Sequence, residues 1–205
     1  MTSDATQLAL WIKLVYTMFV VVLVPIYFKH YGPANFLWFS DVTLLGMVPG
    51  LWAESPLIVS TLTVAVALPE TLWNLDFFAR LLTGRAPLGM ATYMFDASLP
   101  RYLRGLSLFH VVLPVLLVGT LTQIGYDPRA LFVQTVLGTV LFLVCYTLTN
   151  PTENINWVFG PGDKPQRRIP SGWYLLLLMA FMTLCVYLPT HLLLEWLFPP
   201  CGSPR

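Results

Sequence analysis

Charge is scarce in this chain. Only 10% of its 205 residues are Asp, Glu, Lys or Arg, against 57% hydrophobic and 14% aromatic. A soluble domain carries about 25% charged and 45–50% apolar residues, so a water-facing surface cannot be built from this composition. With a mean hydropathy of +0.71 the chain belongs in a membrane. The 11 basic residues barely exceed the 10 acidic ones, and a net charge of +1 excludes the basic footprint that binding nucleic acid requires. Cysteine is scarcer still. Cys145, Cys185 and Cys201 lie far apart, with no CxxC and no metal-ligand spacing, so packing thiols are expected and neither a disulfide framework, a metal nor a cofactor. Also missing are a basic region and a small-residue cleavage site around the first apolar run, which is therefore expected to stay as a spanning helix.

Long apolar runs are plentiful. A membrane helix needs about 20 mostly apolar residues. The sequence offers six such segments, at residues 8–28, 34–52, 57–82, 103–123, 130–150 and 173–198. Turn chemistry separates them: YGP, ESP, GYDP, NPTEN and GPGDKP. The expected fold is an all-α integral membrane protein, a single domain over 1–205 built as a compact bundle of six transmembrane helices. Two connections are long: TGRAPLGMATYMFDASLP, which suits an interfacial segment, and the Gly/Pro-rich PTENINWVFGPGDKPQRRIPSG. Eight of the eleven Lys and Arg fall on the side of these two loops, which predicts an N-out/C-out protein with the long loops in the cytoplasm.

The informative residues are the polar ones inside apolar segments, because ionisable groups there are costly and are functional candidates by default. Ser40 and Asp41 lie seven and eight residues after Pro33, roughly 10–12 Å down a continuous helix. His110 lies six residues after Arg104, at roughly 9 Å on the same arithmetic. The third segment brings Glu70, Trp73, Asn74 and Asp76, with Arg80 placed to pair with Asp76 at i,i+4. Asn154, Asn156 and Trp157 sit in the fifth loop over the same leaflet. These side chains are expected to converge on one cytoplasmic-side cavity. His191 and Glu195, four apart near the other face, read as a structural pair.

The chemistry depends on which residue faces His110. If it is Ser40, the pair suits acyl transfer on a membrane lipid ester: a hydroxyl needs a base to take its proton as it attacks a carbonyl. Asp41, Glu70 or Asp76 would orient the base, and Asn74, Asn154, Asn156 or Trp157 would meet substrate or oxyanion. If the carboxyl groups approach His110 instead, Asp41, Glu70, Asp76 and His110 make a protonatable relay or a binder or carrier site. A third reading is a structural subunit whose polar residues only tie helices together.

FLWFSDVTLL resembles the second-helix motif of the YwaF-type bacterial membrane proteins and their animal relative transmembrane protein 164. FHVVLPVLLV is similar to their fourth-helix motif, and NINWVFGPGDKP to their loop before the sixth helix. The resemblance runs from about Asn35 to Pro165 and extends distantly to the androgen-induced-gene lipid hydrolases. It implies six helices and a membrane-embedded acyl hydrolase or acyltransferase, with Ser40 as nucleophile, where the relatives have Cys or Thr, and His110 as base. It also implies a bacterial inner (plasma) membrane.

Overall fold

The structure is a computed structural model that describes residues 8–162 and 164–198. Cys201, Arg205 and the first seven residues lie outside the described residues. The elements in chain order are α1 (Leu10–Tyr31), α2 (Phe39–Ala53), α3 (Pro56–Thr83), α4 (Arg101–Leu106), α5 (Phe109–Ile124), α6 (Ala130–Leu148), α7 (Ser171–Phe181) and α8 (Leu188–Leu197). No strand occurs among the described residues. Five helical stretches are long and apolar enough to cross a membrane: α1, α3, α4 with α5, α6, and α7 with α8. The chain is an integral membrane protein. The remaining apolar helix, α2, has 15 residues, or about 22 Å against a hydrocarbon core of about 30 Å.

The shortness of α2 corrects the continuous helix expected over 34–52. Residues Pro33–Leu37 form a tight single-turn helix, Trp38 is extended at φ −62° and ψ 140°, and α2 starts only at Phe39. A break inside an apolar layer leaves backbone groups without partners, which is tolerated only where protein supplies them. Asn156 does so. Its Oδ1 accepts from the Phe39 N–H at 3.1 Å and its Nδ2 donates to the Leu37 carbonyl at 2.6 Å. Ser40 and Asp41 therefore sit in the first turn of α2, and the depth reckoned along an unbroken helix does not apply to them.

Two other expected helices are interrupted. The fourth breaks at Ser107 and Leu108, so His110 opens α5 rather than lying inside a straight helix. The sixth carries a widened π segment at Met182–Tyr187 between α7 and α8. Pro189, at the start of α8, has no N–H and a ring that collides with the carbonyl four residues back in a regular helix; widening the preceding turn relieves both problems. The widened turn also turns Tyr187 inward, to 1% exposure.

α3 is the central element and packs against α2, α5 and α6. Its stretch Val59–Val66 is buried throughout and rich in small residues, as membrane interfaces are, because lipid tails compete equally for large apolar side chains and close approach decides the packing. Gly46 of α2 makes room for α3: a Cβ there would sit 3.1 Å from the δ-carbons of Leu62. Leu10, Trp11, Val15, Phe132 and Trp196 form part of the large apolar outer surface.

The helices leave two unlike ends. Residues 54–55 and 125–129 make the short-loop end; residues 32–38, 84–100 and 149–170 make the long-loop end.

Candidate functional site

The polar cluster forms at the long-loop end, where α3 and α5 meet. Glu70 is 3% exposed, and both of its oxygens lie within hydrogen-bond distance of His110 Nδ1, Oε1 at 3.0 Å and Oε2 at 2.9 Å. The α5 break puts His110 on the first turn of that helix, facing α3. Asn74, one turn after Glu70 on the same face, fixes the junction by donating from Nδ2 to the carbonyls of both Glu70 and His110 at 2.8 Å. The imidazole lies between two aromatic rings: Trp73 stacks on it at 4.5 Å and 21°, Phe109 at 4.1 Å and 26°. Trp73 in turn stacks on Phe77 at 5.3 Å. Held this way, the ring has one rotational position, with Nδ1 directed at the carboxyl group. Among the described residues no hydrogen bond reaches Nε2.

A second carboxyl group stands nearby. Asp41, 4% exposed, lies within electrostatic reach of Glu70, and its one hydrogen bond is a long 3.4 Å contact from Asn35 Nδ2. Tyr27 and Tyr31 of α1, and Tyr93 of the third loop, lie within electrostatic reach of Asp41. Tyr27 donates its phenol proton to Ser107 Oγ at 2.7 Å, because Ser107 directs its own proton to the Leu103 carbonyl at 3.1 Å. No Lys or Arg among the described residues forms an ion pair with Asp41 or Glu70. Two buried carboxyl groups and one imidazole thus share a region without a permanent cation, an arrangement that can hold and exchange protons. Among the described residues no group of three His, Cys, Asp or Glu side chains has the geometry to hold a metal ion.

The other residues singled out by sequence have different surroundings. Ser40 is half-buried and has no hydrogen bond to His110. Asp76 is fully buried but faces neither His110 nor Arg80. Its Oδ1 accepts from the N–H groups of Leu88 and Gly89 at 2.8 and 3.2 Å, and its Oδ2 from Ala91 at 2.9 Å, which folds the third loop back onto α3. Arg80 instead lies over the Phe95 ring at 5.4 Å.

Asn154 organises the fifth loop. Nδ2 gives its two protons to the carbonyls of Gly160 and Gly162, at 2.9 and 2.7 Å, and Oδ1 accepts from the Phe159 N–H at 2.9 Å. Asn156 holds the α2 break and also reaches the buried Cys145 thiol at 3.4 Å. With their amide protons on these partners, both asparagines act on backbone. Asn154, Asn156 and Trp157 all have positive φ, between 44° and 59°, a conformation uncommon without glycine that the loop's bonds hold in place. Trp157 is 37% exposed. Of the expected cluster, then, Asp41, Glu70, Asn74 and His110 come together, while Asp76, Asn154 and Asn156 build the loops over them.

Of the two aromatic walls, Trp73 was among the residues expected to converge and Phe109 was not. Trp73 stands three residues after Glu70, so helical spacing alone carried the signal that it would stand beside that residue's partner.

No protein-family model, no curated protein and no solved structure matches the chain.

Proposed function

We propose that Glu70, His110 and Asp41 form an intramembrane protonatable site, and that the protein works as a membrane-embedded relay or carrier rather than through a serine nucleophile. In this reading the chain crosses a bacterial inner membrane six times, α2 included, with both termini outside and the long loops, with Lys29, Arg85, Arg101, Lys164, Arg167 and Arg168, in the cytoplasm. The observation that carries the reading is the contact of His110 Nδ1 with both oxygens of Glu70 at 2.9–3.0 Å, with Asp41 close behind and Ser40 uninvolved. A strut needs satisfied side chains, whereas Asp41 is buried with a single long donor. Buried carboxyl and imidazole groups with no fixed counter-cation are the usual components of proton pathways in membranes. The test is proton movement into proteoliposomes loaded with a pH-sensitive dye. Wild type carries protons faster than protein-free vesicles, Ser40→Ala keeps that excess, and Glu70→Gln loses it. A Glu70→Gln rate equal to wild type, or no wild-type excess, would falsify the relay.

One observation favours a second reading, a Ser40–His110 acyl hydrolase or acyltransferase acting on a membrane lipid. With Nδ1 on a carboxyl group, the free Nε2 is the nitrogen a general base would use, and Ser40 Oγ has no competing hydrogen bond. In membranes treated with a lipid-like serine-hydrolase probe, this reading expects labelling that disappears in Ser40→Ala and His110→Ala. Equal labelling of Ser40→Ala and wild type removes it.

A further inference from the structure

The third loop, residues 84–100, does more than join α3 to α4. Its stretch from Ala86 to Phe95 contains no charged residue, although Arg85 and Asp96 flank it. Two anchors draw this stretch across the end of the bundle. The first is Asp76, whose carboxylate takes the N–H groups of Leu88, Gly89 and Ala91. Gly89, at φ 76°, supplies the left-handed turn that brings these donors round to one side chain. The second is Arg104 of α4. Its Nη1 donates to the Met94 carbonyl at 3.3 Å, and its charge acts on Asp96.

Between the anchors a single tight turn, Thr92–Phe95, presents its side chains to α3. Ala91 and Met94 are buried with Trp73, and Phe95 packs on Phe77 at 5.6 Å. Tyr93 reaches the carboxyl–imidazole site itself. Its ring lies 6.4 Å from that of Trp73, which is stacked on His110. Its hydroxyl reaches Ser107, to which Tyr27 also bonds, and lies within electrostatic reach of Glu70 and Asp41. An apolar ring with a polar tip suits this place, packing on Trp73 while its hydroxyl meets the polar groups below. Burial holds the phenol above its ordinary range, so Tyr93 adds no charge beside the two acids.

A site that passes protons across a membrane cannot stand open to bulk water on one side, because it would stay in equilibrium with that side. Loops that close over a site supply such a barrier, and their local stability is low enough for them to open. We propose that the third loop is the closure of the carboxyl–imidazole site on the long-loop side, with the Tyr93 ring as the stopper that keeps bulk water from His110 and Glu70. The inference rests on the site as read above, but its test follows the access of a water-borne reagent to His110 and not proton movement, so a failed relay and a failed closure are told apart.

The test is carbethoxylation of the purified protein in nanodiscs by diethylpyrocarbonate, with each histidine followed by peptide mass spectrometry. His30, which is exposed, reports full access, and His191, buried at the other end of the bundle, reports a lost fold. In wild type His110 should react much more slowly than His30. Tyr93→Ala should speed His110 about tenfold, the effect that loss of one aromatic packing contact gives, while His191 stays slow. Tyr93→Phe, which keeps the ring, should stay close to wild type. Asp76→Ala loosens the loop without touching the ring and should speed His110 in the same direction; it decides the question if Tyr93→Ala also speeds His191. A wild-type His110 as reactive as His30, a His110 rate unchanged in both Tyr93→Ala and Asp76→Ala, or equal rates in Tyr93→Phe and Tyr93→Ala would each overturn the closure.

Discussion

The two ends of the bundle handle charge in opposite ways. At the short-loop end every acid among the described residues has a partner suited to it. Lys13 pairs with Glu54 across α1 and the α2–α3 turn, Arg129 holds Asp127 through Nε and Nη2, and His191 links Tyr126 at 2.7 Å to Glu195 at 3.4 Å. The Asp127 N–H is bonded to Ser60 Oγ at 2.9 Å, which ties that loop to α3. At the long-loop end Glu70 faces one imidazole, Asp41 lies within electrostatic reach of Glu70, and neither forms an ion pair with a Lys or Arg among the described residues. His110 and His191 make the contrast sharpest. The two imidazoles are about equally buried, but His191 meets a glutamate one turn along its own helix whose side chain is 39% exposed, whereas His110 meets Glu70, 4% exposed, across two helices. Matched pairs at helix ends hold loops; an unmatched buried group is what a proton-handling site requires.

That contrast predicts unequal costs. His110→Ala leaves the Glu70 carboxyl group buried without its partner, and removing one member of a buried pair costs about 3–5 kcal/mol. Glu195→Ala, with 39% of its side chain exposed, should cost no more than about 1 kcal/mol. Unfolding in mixed micelles with increasing dodecyl sulfate measures both, and equal losses would remove the distinction between the ends.

Asn156→Ala comes next. It strips partners from the Leu37 carbonyl and the Phe39 N–H, each worth about 1–3 kcal/mol if left unsatisfied. Hydrogen exchange at the Phe39 amide should accelerate while α6 exchange stays unchanged. Asp76→Ala acts on the third loop alone, for a smaller loss of about 1–3 kcal/mol, because its backbone donors can turn to water at the membrane surface. Limited proteolysis within residues 84–100 should quicken, with proton transport retained.

How much of this was open to sequence differs from residue to residue. Composition and the apolar runs were enough for an all-helical membrane protein, because that reading depends only on length and transfer energy. The break at Trp38 was not legible, since the residue that stabilises it, Asn156, lies 118 positions away. His110, Glu70, Asn74 and Asp41 stood out as polar residues in apolar surroundings. Which of them would meet was a matter of helix rotation and of the break before α5, and both are set by tertiary packing. Asp76 was expected to pair with Arg80 and to join the cluster, yet the neighbouring loop needed its oxygens for three backbone donors.

The smallest effect belongs to Asp127. The Arg129 guanidinium beside it, bonded to the carboxylate, holds its carboxyl group below the ordinary carboxylate range. A carboxyl group whose pKa is lowered on folding contributes stability that is full above its unfolded value, near 3.8, and is lost as pH falls through the lower folded value. Asp127→Asn should therefore lower the melting temperature slightly at pH 7, and the difference from wild type should shrink as pH falls below about 4.

The central claim is that Glu70, and not Ser40, is the partner of His110. With only three histidines in the chain, nitrogen NMR of ¹⁵N-imidazole-labelled protein in nanodiscs reads this directly once His30→Gln and His191→Gln isolate the signal. The account predicts that Glu70→Gln shifts the His110 Nδ1 resonance while Ser40→Ala leaves both ring nitrogens where they were. A shift in Nε2 on Ser40→Ala, with Nδ1 indifferent to Glu70→Gln, would contradict it.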